Sequence, residues 1–156
     1  MPEPSTLVTI TTAMLRDELT AAEAENLPSA VGENTTPEKA EKWLEEKVRQ
    51  ACDRVVAAIN SCHRNAAIKA GLCRVPAGCV RLALVLARHA VISALPALSE
   101  TLEGSSRAAE YNTATRDLTA LASCELVPEY ALGDEEAAGE ASGIVLLVKP
   151  ADSFDW

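Results

Sequence analysis

Aromatic residues are nearly absent from this 156-residue sequence, which holds two Trp, two Tyr and one Phe. Hydrophobic residues nevertheless make up 48% of the chain, so alanine, leucine and valine must fill its core. An alanine-rich composition with few aromatics favours closely packed helices over a sandwich of strands. The length suits one domain with a tail, and it is sufficient to bury a real core.

The sequence also lacks a long uninterrupted apolar stretch. Its most apolar part, Val75 to Leu98, is interrupted by Arg81, Arg88 and His89. Three ionisable groups near the middle would be costly in lipid, so this part is predicted to be a buried helix. The residues Met1–Pro4 have neither the basic region nor the apolar core of a secretory leader. We therefore expect a soluble, unexported protein with no membrane partner.

Motifs of known catalytic chemistry are missing, namely a Gly-rich phosphate loop, a nucleophile elbow and a zinc-protease helix. Cys62 and His63, with Cys73 and Cys79, lack the close ligand pairs of a structural zinc site. We predict no metal, no cofactor and no enzymatic activity. An odd number of cysteines in an unexported chain predicts that all five stay reduced: Cys52, Cys62, Cys73, Cys79 and Cys124. The alternative is a thiol- or metal-dependent enzyme, for which Cys73 beside Arg74 is the best placed thiol.

The clearest periodicity lies between residues 37 and 63 and predicts a long amphipathic helix. Its start is marked either by Thr35 as the N-cap or by Thr36 with Pro37 in the first helical position. Apolar residues recur there at steps of three and four: Ala40, Trp43, Leu44, Val48, Ala51, Cys52, Val55, Val56, Ile59 and Cys62.

Two short helices are predicted before this long one. Thr11 or Thr12 can cap the first, which runs through Leu19. The second opens on Thr20–Glu23, which has the spacing of a capping box, and it stops at Gly32.

Two more long helices are predicted after it, separated from it by a loop over residues 65–75. Pro76 opens the central helix, which runs through Leu95, and Arg81 and Arg88 lie on one stripe that marks its exposed or interfacial side. Ser99 caps the last helix, which ends near Glu125. The side chains expected near the centre of the core are Leu84, Val85, Leu86 and Val91.

The predicted fold is all-α, a small bundle of about three long and two short helices over residues 5–128. Residues 129–156 are predicted to form an acidic, flexible tail, disordered over 133–143. The tail ends in an apolar run that is too short for a core helix and favours a strand: Ile144, Val145, Leu146, Leu147 and Val148.

Charge is distributed unevenly along the chain. The net charge is −9, but residues 1–46 carry −7 and residues 47–88 carry +7. Such asymmetry permits head-to-tail pairing between copies, or contact of the basic segment with phosphate. Charge balance within one chain explains the asymmetry equally well. Arg49, Arg54 and Arg64 are the candidate interface residues of the basic segment.

The order of these elements resembles the Mu-like phage head–tail connector family, whose small members are encoded beside the capsid genes of tailed phages and prophages. The resemblance is carried by five stretches: Thr11–Leu15, Ala51–Ile59, Val75–Ala83, Arg107–Asn112 and Leu118–Ala122. The sequence departs from the family after the long helix, where the Ile-Asp pair becomes Ile59-Asn60. It also lacks the family's central-helix tyrosine near His89.

The resemblance implies a non-enzymatic ring component that joins the portal to the tail, within the virion and in the bacterial cytoplasm during assembly. Its implied partners are copies of itself, the portal and tail-completion proteins. Opposite charges on the two segments suit a heterologous contact that closes into a ring, and the apolar run suits strand addition to a neighbour. Non-specific DNA contact with the basic segment is a further possible interaction. The alternative is a stand-alone helical adaptor that binds a protein through the C-terminal tail.

Overall fold

The chain begins with a short strand and three short helices. The computed structural model describes residues 6–32, 35–95 and 106–132, and the predicted acidic tail beyond 132 and its apolar run lie outside them. The first elements are β1 (Val8–Thr9), α1 (Thr12–Asp17), α2 (Ala21–Glu25) and α3 (Leu27–Val31).

Three long helices follow and confirm the all-α prediction. The elements are α4 (Pro37–Ser61), β2 (Arg74–Val75), a 3₁₀ turn (Ala77–Cys79), α5 (Val80–Ser93) and α6 (Ser106–Ala122). The predicted start of the last helix at Ser99 lies outside the described residues. α4, α5 and α6 pack against one another, while α1 and α3 pack on α4. None of the helices within the described ranges is long and apolar enough to cross a membrane.

The second predicted short helix is two helices, α2 and α3, which meet at Asn26. Pro28 follows the junction and has no N–H to donate to the carbonyl four residues earlier, so one continuous helix cannot form. The predicted capping box is confirmed. The Thr20 hydroxyl accepts from the Glu23 N–H at 3.2 Å, and the Glu23 carboxylate accepts from the Thr20 N–H at 2.8 Å. Gly32 ends α3 with φ +122°, which favours glycine.

α4 begins where the second of the two predicted N-caps places it. The Thr36 hydroxyl accepts a hydrogen bond from the Lys39 N–H at 3.2 Å, and Pro37 takes the first helical position. At the other end the side chain of Asn60 holds the following loop in place. It accepts from the Ile68 N–H at 2.8 Å and donates to the Ile68 carbonyl at 2.9 Å.

The loop predicted over residues 65–75 contains one element that the sequence did not predict, β2. It pairs antiparallel with β1, and Val8 lies opposite Val75. A single parallel bridge between Thr6 and Ala131 brings the end of the described chain to the same region. Leu132 packs against the core, so the packed unit reaches beyond the predicted boundary at residue 128.

The core lies between the apolar faces of α4, α5 and α6. The four residues predicted at its centre, Leu84, Val85, Leu86 and Val91, are all buried. Arg88 was predicted to share an exposed or interfacial stripe with Arg81, but its residue is only 5% exposed. It is buried because acidic side chains from two other elements reach it there, as described below.

The prediction that all five cysteines stay reduced is wrong for two of them. Cys62 and Cys124 form a disulfide, while Cys52, Cys73 and Cys79 are free. The packing of α4 against α6 brings the two bonded Cα atoms to 5.2 Å, within the range that a disulfide requires. The partners are 62 residues apart in sequence, so local pattern gave no sign of the pair.

Candidate interaction surface

Arg49, the first predicted interface residue, is engaged within its own helix. Its guanidinium pairs with the carboxylate of Glu46 and, at 3.1 Å, with that of Asp53. The side chain is exposed, but these two acids neutralise much of its charge. Arg49 is therefore poorly suited to attract a second copy.

Arg54 and Arg64 have a different environment. Both are exposed, and neither forms an ion pair with any residue in the described parts of the chain. Arg54 lies on the side of α4 near His89, where burial and the Arg54 charge lower the pKa of the imidazole. His89 in turn stacks on Tyr111, with ring centroids 3.5 Å apart. We define Arg54 and Arg64 as the arginine surface.

Part of the charge asymmetry is balanced within the chain. Arg81 and Arg88 on α5 both pair with Glu18, just after α1, and with Glu110 on α6. The side chain of Arg88 is 6% exposed, and one of its nitrogens lies 2.9 Å from a Glu110 oxygen. A further pair joins Arg107 to Glu23 at 2.9 Å. These contacts tie the acidic N-terminal segment to the bundle.

This network makes stability depend on pH in the acidic range. Hydrogen bonds from Arg88, with support from Arg81, lower the pKa of Glu110 below its ordinary value of 4.5. A carboxyl group whose pKa is lower in the folded state stabilises fully above its unfolded pKa, and that stability is lost as the pH falls through the folded value. We expect the free energy of unfolding, measured by urea titration, to decrease as the pH is lowered below about 4.5. The decrease with pH should be less steep in Glu110→Gln. Equal slopes in the two proteins would contradict this assignment.

A groove runs between α5 and α6. Its upper part has a volume of about 370 Å³ and is lined by Gly78, Arg81, Leu82, Val85, Ala109, Glu110, Thr113, Ala114 and Asp117. Leu82, Val85 and Ala114 are buried and form an apolar floor. Asp117 is half-buried and forms no ion pair within the ranges that the structure describes.

The groove continues past the end of α6 in a second part of about 200 Å³. This part shares Gly78, Leu82 and Asp117 with the first, and its far wall is Leu126, Val127 and Pro128. Leu126 and Val127 are 46% and 45% exposed, which is high for such large apolar residues. The exposed acids Glu125 and Glu129 flank this wall. We call the two parts together the acidic groove.

Arg54 of the arginine surface and Asp117 of the acidic groove lie on different sides of α6. Tyr111, whose partner His89 lies near Arg54, is six residues before Asp117 of the groove. At 3.6 residues per turn these two positions are about 120° apart around the helix axis. Arg54 of one copy can therefore face the groove of a second copy without blocking its own groove.

Sequence reasoning missed the acidic groove. Leu126, Val127 and Asp117 fall in or after a helix whose apolar pattern indicates only its inner stripe. Their common position depends on how α6 packs on α5 and where the chain turns after it. No local pattern in the sequence records that packing.

The thiol considered for catalysis, Cys73, lies in a separate cavity of about 370 Å³ between α1 and α4, together with Glu45 and Arg49. Burial raises the pKa of the Cys73 thiol. A raised pKa reduces the thiolate fraction at neutral pH, which is the opposite of activation. Within residues 6–32, 35–95 and 106–132, no three metal-ligating side chains lie close enough to hold an ion.

The chain was compared with known proteins at three levels. No protein-family model, no curated protein and no solved structure matches it. The remaining predicted interface residues, from Ile144 to Val148, lie outside the residues that the structure describes.

Proposed function

We propose that this protein is a structural subunit that joins a phage or prophage head to its tail, assembling as a ring on the portal. The observation that carries the proposal is that one small bundle presents exposed arginines without ion-pair partners in its described part and an acidic groove, with Arg54 and Asp117 on different sides of α6. A surface that fits a different surface on the next copy is a heterologous contact, and such contacts close into rings when the rotation permits.

Charge complementarity supports this contact. The arginine surface presents Arg54 and Arg64 without partners in the described part of the chain, and the acidic groove presents Asp117, Glu125 and Glu129. Exposed charges of opposite sign steer association and fix its register more than they add affinity. The contact surface is thus narrower than the whole basic segment, because Arg49, Arg81 and Arg88 are paired within the chain.

Apolar contact in the groove would supply the affinity. Leu126 and Val127 are exposed beside a floor that contains Leu82 and Val85. Apolar area removed from water contributes about 25 cal/mol per Å² before the costs of association are subtracted. The long stem of an arginine can cover such a floor while its guanidinium reaches the acidic rim.

The direct experiment is sedimentation of the protein with the portal protein of the same phage or prophage, at low and high salt. We expect Arg54→Glu with Arg64→Glu to weaken assembly at least 10-fold, since like charges would then face each other. Asp117→Arg with Glu125→Arg should have the same effect. Combining all four changes in one chain should restore most of the assembly, because the reversed arginine positions then face the two reversed acid positions, and only Glu129 keeps its original charge.

Lys39→Glu with Lys42→Glu is the matched control, because it makes the same charge change on exposed residues at the other end of α4. Wild-type assembly should also weaken with salt, since exposed charges are screened over about 10 Å at 0.1 M. Failure of the fourfold variant to recover would place the contact elsewhere. Failure of the wild type to bind any portal would reject the connector role.

A second candidate function, a stand-alone adaptor, is favoured by the exposed pair Leu126 and Val127. A protein that only docks a peptide there would bind one partner and form no ring. Native mass measurement of the assembled species distinguishes the two, since a ring gives a single large mass of many copies.

A further inference from the structure

The C-terminal end of α6 is capped by a motif that usually contains a glycine, but here Cys124 occupies the glycine position. The Cys124 N–H donates to the Leu121 carbonyl at 3.3 Å, and the Glu125 N–H donates to the Ala120 carbonyl at 2.8 Å. These two bonds define a Schellman motif, in which the residue at the position of Cys124 is usually glycine. Cys124 has φ +67°, a left-handed conformation that a side chain disfavours.

The disulfide explains why a cysteine occupies this position. Cys124 is bonded to Cys62, the residue that caps the C-terminal end of α4. The bond therefore fastens the turn after α6 to the end of the longest helix. The next residues form the wall of the groove at Leu126 and Val127, and they then reach Thr6 through the bridge at Ala131.

The two sulfurs of the bond differ in access. Cys62 is 1% exposed, whereas Cys124 is partly exposed. The exposed residue His63 places its Nδ1 atom 3.9 Å from the Cys124 sulfur. A protonated imidazole at that distance stabilises a thiolate by its charge and can supply a proton to it. Because Cys124 is partly exposed to solvent and Cys62 is buried, an external thiolate can reach the Cys124 sulfur but not the Cys62 sulfur.

We propose that Cys62–Cys124 is a thiol–disulfide exchange site for low-molecular-weight thiols, and that its reduction loosens the turn over residues 124–129. A thiolate attacks the Cys124 sulfur, the protein S–S bond breaks, and Cys62 leaves as a thiolate that takes up a proton. A second thiol attacks the external sulfur of the mixed disulfide and Cys124 leaves, protonated with help from His63. The products are two protein thiols and one oxidised disulfide of the reagent, a two-electron reduction.

Loosening follows from the left-handed position of Cys124. Once the bond to Cys62 is broken, the turn is held by three backbone hydrogen bonds, the two of the Schellman motif and one from the Leu126 N–H to the Ala120 carbonyl. The end of the segment stays on the bundle, because Tyr130 donates to the Ala66 carbonyl, Ala131 bridges to Thr6 and Leu132 packs against the core. The groove wall at Leu126 and Val127 belongs to the part that loosens, so the redox state determines whether the lower part of the acidic groove is ordered. The inference is independent of the assembly role, because its readouts are thiol number and amide exchange.

The experiment uses the full chain in mixtures of reduced and oxidised glutathione. Alkylation under denaturing conditions should count three thiols when the chain is oxidised and five when it is reduced. Amide hydrogens of residues 124–129 should exchange at least 10-fold faster after reduction, with α4 and α5 unchanged. The melting temperature should fall by roughly 5–15 °C. A bond that millimolar glutathione reduces only in denaturant, or reduction without faster exchange, would overturn the proposal.

Two sets of variants test the left-handed position of Cys124 and the role of His63 separately. Cys124→Gly and Cys124→Ala both lack the disulfide, but only glycine accepts φ +67° freely, so residues 124–129 should exchange more slowly in the glycine variant. Equal exchange would reject the role of the left-handed position. His63→Gln should slow reduction severalfold while leaving the melting temperature unchanged. An unchanged rate would reject the role given to His63.

Discussion

Glu110→Ala is expected to lower the free energy of unfolding by about 2 kcal/mol, less than the roughly 3–5 kcal/mol for a fully buried ion pair, because the Glu110 side chain is 36% exposed and water screens it. The cost arises on the partner, because the side chain of Arg88 is 6% exposed and loses its contact at 2.9 Å. Glu18 remains, with its nearer oxygen 3.4 Å away, and it compensates only in part. Urea denaturation followed by far-ultraviolet circular dichroism measures the change.

A double-mutant cycle shows whether the buried charge is the cause. Arg88→Met replaces the guanidinium with an apolar side chain of similar length. In that background Glu110→Ala should cost less than about 1 kcal/mol, since no buried charge is left without a partner. Glu46→Ala is the matched surface control, because its partner Arg49 is exposed, and such pairs contribute about 0–1 kcal/mol. Equal losses from Glu110→Ala in both backgrounds would show that packing, and not charge, determines the effect.

The helices of this protein could be predicted because their signals are local. The capping box at Thr20 and Glu23 and the cap at Thr36 each lie within four residues of the group they satisfy. The apolar repeat of α4 is equally local, since neighbours on a helix face are three or four residues apart. The central residue Leu86 was placed correctly for the same reason, because α5 is apolar on nearly all sides.

Contacts between distant parts of the chain could not be predicted. β2 is two residues long, and its pairing with β1 joins Val75 to Val8 across most of the N-terminal half. The disulfide joins Cys62 to Cys124 only because α4 and α6 pack together. Neither partner in these pairs carries a local pattern that indicates the other.

Ion-pair partners could not be predicted from the sequence either. The net charge of a segment predicts that it attracts segments of opposite charge, but it does not identify which residues pair. Arg88 was expected on an exposed or interfacial stripe, and the structure buries it against Glu18 and Glu110 from other elements. Arg54, in the same basic segment, pairs with no acid in the described part of the chain. Only the tertiary arrangement separates the arginines that stabilise the fold from those available to a partner.

Leu86→Ala is expected to lower the free energy of unfolding by about 2–5 kcal/mol. Leu86 is 2% exposed on α5, the helix that packs against both α4 and α6. Truncation removes buried methyl groups and leaves a cavity, which the rigid helices around it cannot fill. The intrinsic helix propensity of alanine is slightly better than that of leucine, so it offsets only a few tenths of a kcal/mol.

Leu126→Ala provides the matched control, because the same atoms are removed from a residue that is 46% exposed. It should change stability by less than about 0.5–1 kcal/mol, since water already reaches much of that side chain. Leu84→Ala should resemble Leu86→Ala, because Leu84 is 7% exposed on the same helix. Chemical denaturation of the three variants tests the arrangement of the bundle. A loss below about 0.5 kcal/mol for both α5 variants would mean that this helix is not the buried element around which α4 and α6 pack.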